Sequence, residues 1–258
     1  MGNASPTLVL IPGWSMPISV FDPLCELLGD MQYECLPLPG YELPLSGPAL
    51  WQDSSALVDG LVQHLPPGPV VLLGWSLGGV LALHMAERAQ EKVKGIMLLA
   101  SNPCFVQRDD WPGMASDTFA QFVENVKTAP EATLRRFLQL CCRGSHDVRG
   151  RTRWLREDCC FKGDSSVLLP GLNWLAEDHR PVLHQLTQPV LSVLAEQDAL
   201  VPSNVSRCLP GESRVIPASS HLLMADQPLL VADQVQEFID RIDMGNACSE
   251  PLVVKRRQ

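Results

Sequence analysis

Two hydrophobic periods take turns along the chain. Short stretches apolar at consecutive positions, such as Val70-Val-Leu-Leu73, bury both faces, as strands of a helix-covered parallel sheet do. Strands are predicted over Leu8–Ile11, Tyr33–Leu36, Val70–Leu73, Ile96–Ala100, Val190–Ala195 and Arg214–Pro217. Helical patterns lie between and after them, over Ser54–His64, Leu77–Arg88 and Leu229–Ile242. This alternation predicts an α/β fold: a mostly parallel central sheet flanked by helices.

The alternation breaks between about Asp109 and Pro181. Helices are predicted there over Ala115–Lys127, Glu131–Cys142, Asp147–Cys160 and Ser165–Ala176, with no convincing strand. A helical insertion before the last strands is most simply a lid over the sheet edge where α/β ligands bind. The expected division is a core over 1–108, a lid over 109–181, the rest of the core over 182–242 and a polar tail over 243–258.

Composition adds limits. The 258 residues are 46% hydrophobic and 19% charged, enough for one large core and unlike a disordered chain. No apolar run approaches 18 residues, and no basic segment precedes an apolar one at the start, so neither a membrane span nor a secretion signal is expected. Nine scattered cysteines then read as reduced cytoplasmic thiols. The pairs Cys141-Cys142 and Cys159-Cys160 lack the spacing of zinc ligands, so no metal is expected. A net charge of −9 argues against nucleic acid as a partner. Yet Arg135 to Arg156 holds seven arginines against one acid, a net of +6 that leaves −15 for the rest. Such an island suits an anionic partner, the alternative being a solvated helix face.

The chemistry centres on Gly74-Trp75-Ser76-Leu77-Gly78-Gly79, a G-x-S-x-G pattern between a predicted strand and a predicted helix. In that setting Ser76 sits on a tight corner facing a cleft, and the helix start favours developing negative charge. A serine hydroxyl needs an oriented base. Among six histidines, His221 follows the last predicted strand and Asp198 follows the one before it, in the order such folds use. Asp178 and Glu196 are weaker acid candidates. His84 lies eight residues into the Ser76 helix, and His146, His179 and His184 read as surface groups of the lid or its rim. Ser76, His221 and Asp198 are therefore the expected triad. The Leu77 and Trp14 backbone N–H groups are the expected oxyanion donors. Leu134, Phe137, Leu138 and Cys141 share one helical face that would line an acyl slot or simply pack. No metal or organic cofactor is required.

Further motifs carry a resemblance. Ile11-Pro-Gly-Trp14, Ala100-Ser-Asn-Pro-Cys-Phe105, Asp110-Trp-Pro-Gly113 and Arg136-Phe-Leu-Gln139, together with the serine motif, resemble the BioH-type esterases of biotin synthesis within the α/β hydrolases. The resemblance spans about residues 8–242. It implies hydrolysis of the methyl ester of pimeloyl-acyl carrier protein to the free acid and methanol. It implies that Trp14, Ser76, Leu77, the segment Phe137, Leu138, Gln139, Leu140 and Cys141, and His221 contact substrate. It also implies that Arg136, Arg149 and Arg153 hold the carrier. One further basic position of the family is Ala132 here, for which Arg135, Arg143, Arg151 or Arg156 would compensate. Pro12 replaces the family's usual histidine and removes an N–H from the oxyanion loop. Some relatives continue into a methyltransferase, and Lys255-Arg-Arg is where such a partner would begin. A monomer without nucleic-acid or membrane partners is expected. Two other readings stay open: a general short-chain carboxylesterase or C–C-bond hydrolase without carrier recognition, and a non-catalytic small-molecule binder.

Overall fold

Runs of β-branched and aliphatic residues, buried on every side, form the centre of the molecule. A computed structural model describes residues 5–42, 48–159, 161, 163 and 165–248, with the side chains of 48 and 245–248 left aside. Six strands make one sheet: β1 (Thr7–Ile11), β2 (Tyr33–Cys35), β3 (Val70–Trp75), β4 (Val93–Leu99), β5 (Val190–Ala195) and β6 (Glu212–Ile216). Their order is β2-β1-β3-β4-β5-β6, and every neighbouring pair is parallel. All six residues of β3 are buried, whereas the edge strands β2 and β6 are short and partly exposed. Both-face burial requires helices above and below the sheet.

The first half supplies α1 (Asp22–Cys25), α2 (Pro48–Gln52), α3 (Ser54–Gln63) and α4 (Leu77–Arg88). Between β4 and β5 come α5 (Ser116–Thr128), α6 (Pro130–Cys142), α7 (Val148–Glu157), α8 (Leu168–Ala176) and α9 (Arg180–Gln185). The chain then adds α10 (Leu223–Asp226) and α11 (Pro228–Cys248). Local signals set several boundaries. Pro130 opens α6, where its missing N–H costs nothing. Asp147 caps α7 by accepting from the Gly150 N–H at 2.9 Å, a contact that contributes about 1 kcal/mol.

All six predicted strands form, within a few residues at their ends. Three boundaries differ. α7 stops at Glu157, and Cys160 lies outside the described residues. α11 runs past Ile242 to Cys248, so the tail is helical where its first residues were expected to be loose; Lys255 to Gln258 lie outside the description. The stretch predicted as one helix from Ser165 begins as a 3-10 turn over Ser165–Val167. Among the described residues no helix is long and apolar enough to cross a membrane.

The chain leaves β1 for β2 on one side and returns to β3 on the other. That reversal of direction opens a crevice at the carboxyl ends of β1 and β3, where ligands of open α/β sheets bind. Trp14 follows β1, Ser76 follows β3, Asp198 follows β5 and His221 follows β6, so all four leave the sheet at the same edge.

Candidate active site

Ser76 occupies the corner between β3 and α4 with φ 56° and ψ −120°, a conformation that side-chain-bearing residues rarely adopt. The glycines around it make the corner possible. A Cβ on Gly74 would lie 2.3 Å from the Gly78 carbonyl oxygen, and one on Gly78 would lie 2.2 Å from the Ile11 carbonyl oxygen. The corner is braced from β4: the Ser76 N–H donates to Leu99 O at 2.9 Å, and the Ser101 hydroxyl donates to Ser76 O at 2.7 Å.

His221 is fully buried and its Nδ1 lies 2.8 Å from Asp198 Oδ2. A carboxylate only accepts, so Nδ1 carries the proton and Nε2 is the basic nitrogen. Nε2 is buried without a hydrogen-bond partner. The other Asp198 oxygen accepts from the Leu200 and Val201 N–H groups at 2.8 and 3.0 Å, which fixes the carboxylate. Trp75 ties His221 to the nucleophile's own motif: its indole N–H donates to His221 O at 2.8 Å, with the two rings 5.2 Å apart. Of the weaker acid candidates, Glu196 accepts from the Ala218 N–H and Asp178 pairs with Arg180.

The loop after β1 packs on the same corner, since a Cβ on Gly13 would sit 3.0 Å from the Ser76 Cβ. Pro12 does not leave this loop unsupported. The Ser15 N–H donates to the Tyr41 hydroxyl at 3.0 Å, and the Trp14 indole N–H donates to Leu168 O at 2.7 Å. Among the described residues no hydrogen bond engages the Trp14 or Leu77 backbone N–H. A helix start and a free loop amide are the groups that can meet an oxyanion.

Ser76 opens into a cavity between the sheet edge and the helices that follow β4. Its walls are almost wholly apolar, with Ser76 and Thr118 the hydroxyl-bearing residues among them: Trp14 with Phe105 and Met114, Phe119 and Phe122 of α5, Phe137 and Leu140 of α6, Leu172 and Leu175 of α8, and Leu200. Trp14 meets Phe122 and Phe137 edge to face at 5.4 and 4.9 Å. Within the segment Phe137–Cys141, only Phe137 and Leu140 line this cavity. Gln139 is exposed, Leu138 is half-buried, and Cys141 is fully buried off the wall. The slot-lining pair on α6 is thus spaced i, i+3 and rotated from the face predicted through Leu134, Phe137, Leu138 and Cys141. Leu77 and His221 are fully buried and form none of the wall.

Thr118, Phe122 and Leu140 also line an open groove between α5 and α6, with Arg136 on its rim. Arg136, Arg149 and Arg153 are exposed and make no ion pair among the described residues. Three other arginines of the basic island have acidic partners. Arg135 pairs with Glu131, one turn earlier on α6. Arg156 pairs with Glu157, and Arg151 turns inward to Asp226.

His179 also departs from its predicted surface position. It is buried, accepts at Nδ1 from His84 Nε2 at 2.9 Å, and donates from Nε2 to Trp174 O at 2.6 Å. Burial, then the neighbouring His179, pushes the His84 imidazole from 6.5 down to about 4, and burial lowers His179 as well. The unfolded chain therefore binds more protons than the folded one across that window. Stability from this pair is complete above about 6.5 and falls as the pH drops toward 4. Melting temperature measured against pH should fall more steeply there in the parent than in His84→Gln. Since α8 carries both Trp174 and two cavity-wall leucines, acid is expected to loosen the cover of the cavity first.

Sequence reading missed Trp75 and Ser101 as braces. Trp75 is a variable position within its motif, and Ser101 bears no periodic signal. Asn102 explains why two separate motifs occur together: its Oδ1 accepts from the Cys104 N–H and the Trp111 indole, and its Nδ2 donates to Pro112 O. Among the described residues no group of three or more His, Cys, Asp or Glu is placed to hold a metal ion.

Comparison with known proteins agrees with this geometry. The model of the alpha/beta hydrolase family matches residues 8–234. The pimeloyl-acyl-carrier-protein methyl ester esterase of Nitrosomonas europaea is 36% identical over 213 residues, covering 80% of this chain and 82% of that protein. Its counterpart in Xylella fastidiosa strain M12 is 38% identical over 206 residues, covering 77% and 78%. The biotin biosynthesis bifunctional protein BioHC of Cellvibrio japonicus is 36% identical over 209 residues, which are 80% of this chain and 41% of that protein. An esterase structure from Exiguobacterium antarcticum superposes with a TM-score of 0.76 at 20% identity, covering 93% of each chain, and so shares the fold. The chain belongs to the alpha/beta hydrolase family and stands within it among the pimeloyl-acyl-carrier-protein methyl ester esterases.

Proposed function

We propose that this chain is a serine carboxylic-ester hydrolase that cleaves the methyl ester of pimeloyl-acyl carrier protein in biotin synthesis. The observation that carries the proposal is the apolar cavity running from Ser76 toward the Arg136 groove. An aliphatic chain fits such a lining, and an anionic carrier fits the unpaired arginines beyond it.

In this reading the carrier rests on Arg136, Arg149 and Arg153, and the helices between β4 and β5 act as a lid. The acyl chain enters with its methyl ester at Ser76. His221 Nε2 takes the Ser76 proton as Oγ attacks the ester carbonyl, and the Leu77 and Trp14 N–H groups hold the oxyanion. Asp198 stabilises the imidazolium without taking its proton. His221 returns the proton to the departing methoxide, and methanol leaves. Water, activated by the same imidazole, then hydrolyses the acyl-enzyme. The product carries a new carboxylate against a wall that offers it little solvation, which favours its departure. The wall contacts assigned to substrate are Trp14, Phe137 and Leu140; Leu138, Gln139 and Cys141 support α6 around them.

The relatives' names do not favour a general esterase or a non-catalytic binder. The test is a comparison of kcat/KM for the carrier-bound methyl ester and for a short soluble ester. A strong preference for the carrier-bound substrate is expected, and equal values would return the protein to the general esterases.

A further inference from the structure

Asp226, at the end of α10, is a nearly buried carboxylate that the mechanism above does not use; its side chain is 4% exposed. Three donors from two segments converge on it. The Ser220 N–H and hydroxyl reach Oδ2 at 2.9 and 2.6 Å, and the Ser145 hydroxyl reaches both oxygens at 2.8 and 2.9 Å. The Ser220 oxygen accepts in turn from the Leu222 N–H at 3.2 Å. The amides on either side of His221 are thus held through one carboxylate. Its charge is met by Arg151 of α7, whose Nε lies 3.3 Å from Oδ1 and whose guanidinium also donates to Ala225 O.

We propose that Asp226 is a positioning residue for His221 and that Arg151 holds it in that role, so that α7 helps to place the imidazole. The inference rests on the reading of His221 as the base. A carboxylate suits the position because every group that reaches it donates, and only an acceptor-only side chain satisfies them all. An amide would turn an NH2 group toward other donors. A base displaced by a fraction of an ångström loses its line to the nucleophile, and a loss of that kind appears in kcat. α7 then has two faces. Arg149 and Arg153 point to solvent, while Arg151 between them reaches the histidine loop.

The test uses the full chain carrying Asp226→Asn, Arg151→Met or Arg151→Lys, assayed with a short soluble ester that needs no carrier, beside His221→Ala. Asp226→Asn and Arg151→Met are expected to lower kcat by about 10- to 100-fold with little change in KM, while circular dichroism shows a folded protein. Arg151→Lys, which keeps the charge, is expected to recover most of that loss. A folded Arg151→Met enzyme with kcat within about threefold of the parent overturns the proposal, as does failure of lysine to improve on methionine. If Asp226→Asn does not fold, the two Arg151 variants decide. Activity surviving in His221→Ala would instead sink the reading of the base, a separate outcome.

Discussion

Replacing Ser76 by alanine is expected to lower kcat for the carrier-bound ester by about 10⁴- to 10⁶-fold while leaving the melting temperature near that of the parent. The size follows from losing the only oxygen that can be acylated at this corner. The residue left over comes from binding and the oxyanion donors, which the substitution does not touch. The fold is expected to survive because the Ser76 contacts that brace the corner are made by its backbone: N–H to Leu99 and carbonyl to Ser101. Alanine can hold them, although it inherits the positive φ, so a modest cost in stability is expected. A Ser76→Ala protein that is folded and retains more than about a hundredth of the parent's turnover would remove Ser76 from the chemistry.

The second large effect concerns the basic island. Reversing Arg149 and Arg153 to glutamate changes the local charge by four units at two exposed side chains without ion pairs among the described residues. The kcat/KM for the carrier-bound ester is expected to fall at least about 30-fold further than that for a short soluble ester, mostly through KM. Raising salt should act in the same direction on the parent, because exposed charges are screened over a Debye length of about 8 Å at physiological ionic strength. Salt should weaken the double variant less than it weakens the parent. Equal losses on both substrates would mean that the two arginines serve stability rather than docking. Arg151 separates cleanly from this pair. Its partner Asp226 lies inside, so its removal is expected to slow both substrates.

The strands and the places of the candidate catalytic residues were legible because their causes are local. Val70 to Leu73 could only be a strand buried on both faces. Gly74 and Gly78 could only be explained by a backbone approach too close for a Cβ, which the 2.3 and 2.2 Å clearances express. Asp198 and His221 were found by their places after the last strands. What stayed hidden depends on tertiary contact. The burial of His179 comes from Trp174 and His84, neither near it on a periodic face. Which side of α6 lines the cavity was set by how α6 rotates against α5 and Trp14, so Leu140 took the place predicted for Leu138 and Cys141. Among the arginines, charge counting could not tell the inward Arg151 from the outward Arg149 and Arg153. Two residues of helix rotation make that difference.

In the proposed reaction the distal methyl ester is cut while the thioester to the carrier is spared. The mass of the carrier tests this most directly after incubation of pimeloyl-carrier methyl ester with the purified chain. The expected product is a carrier that keeps its acyl group and is lighter by one CH2, with methanol released in equal amount. A carrier stripped of the whole acyl group, or one unchanged in mass beside an active control enzyme, would contradict it.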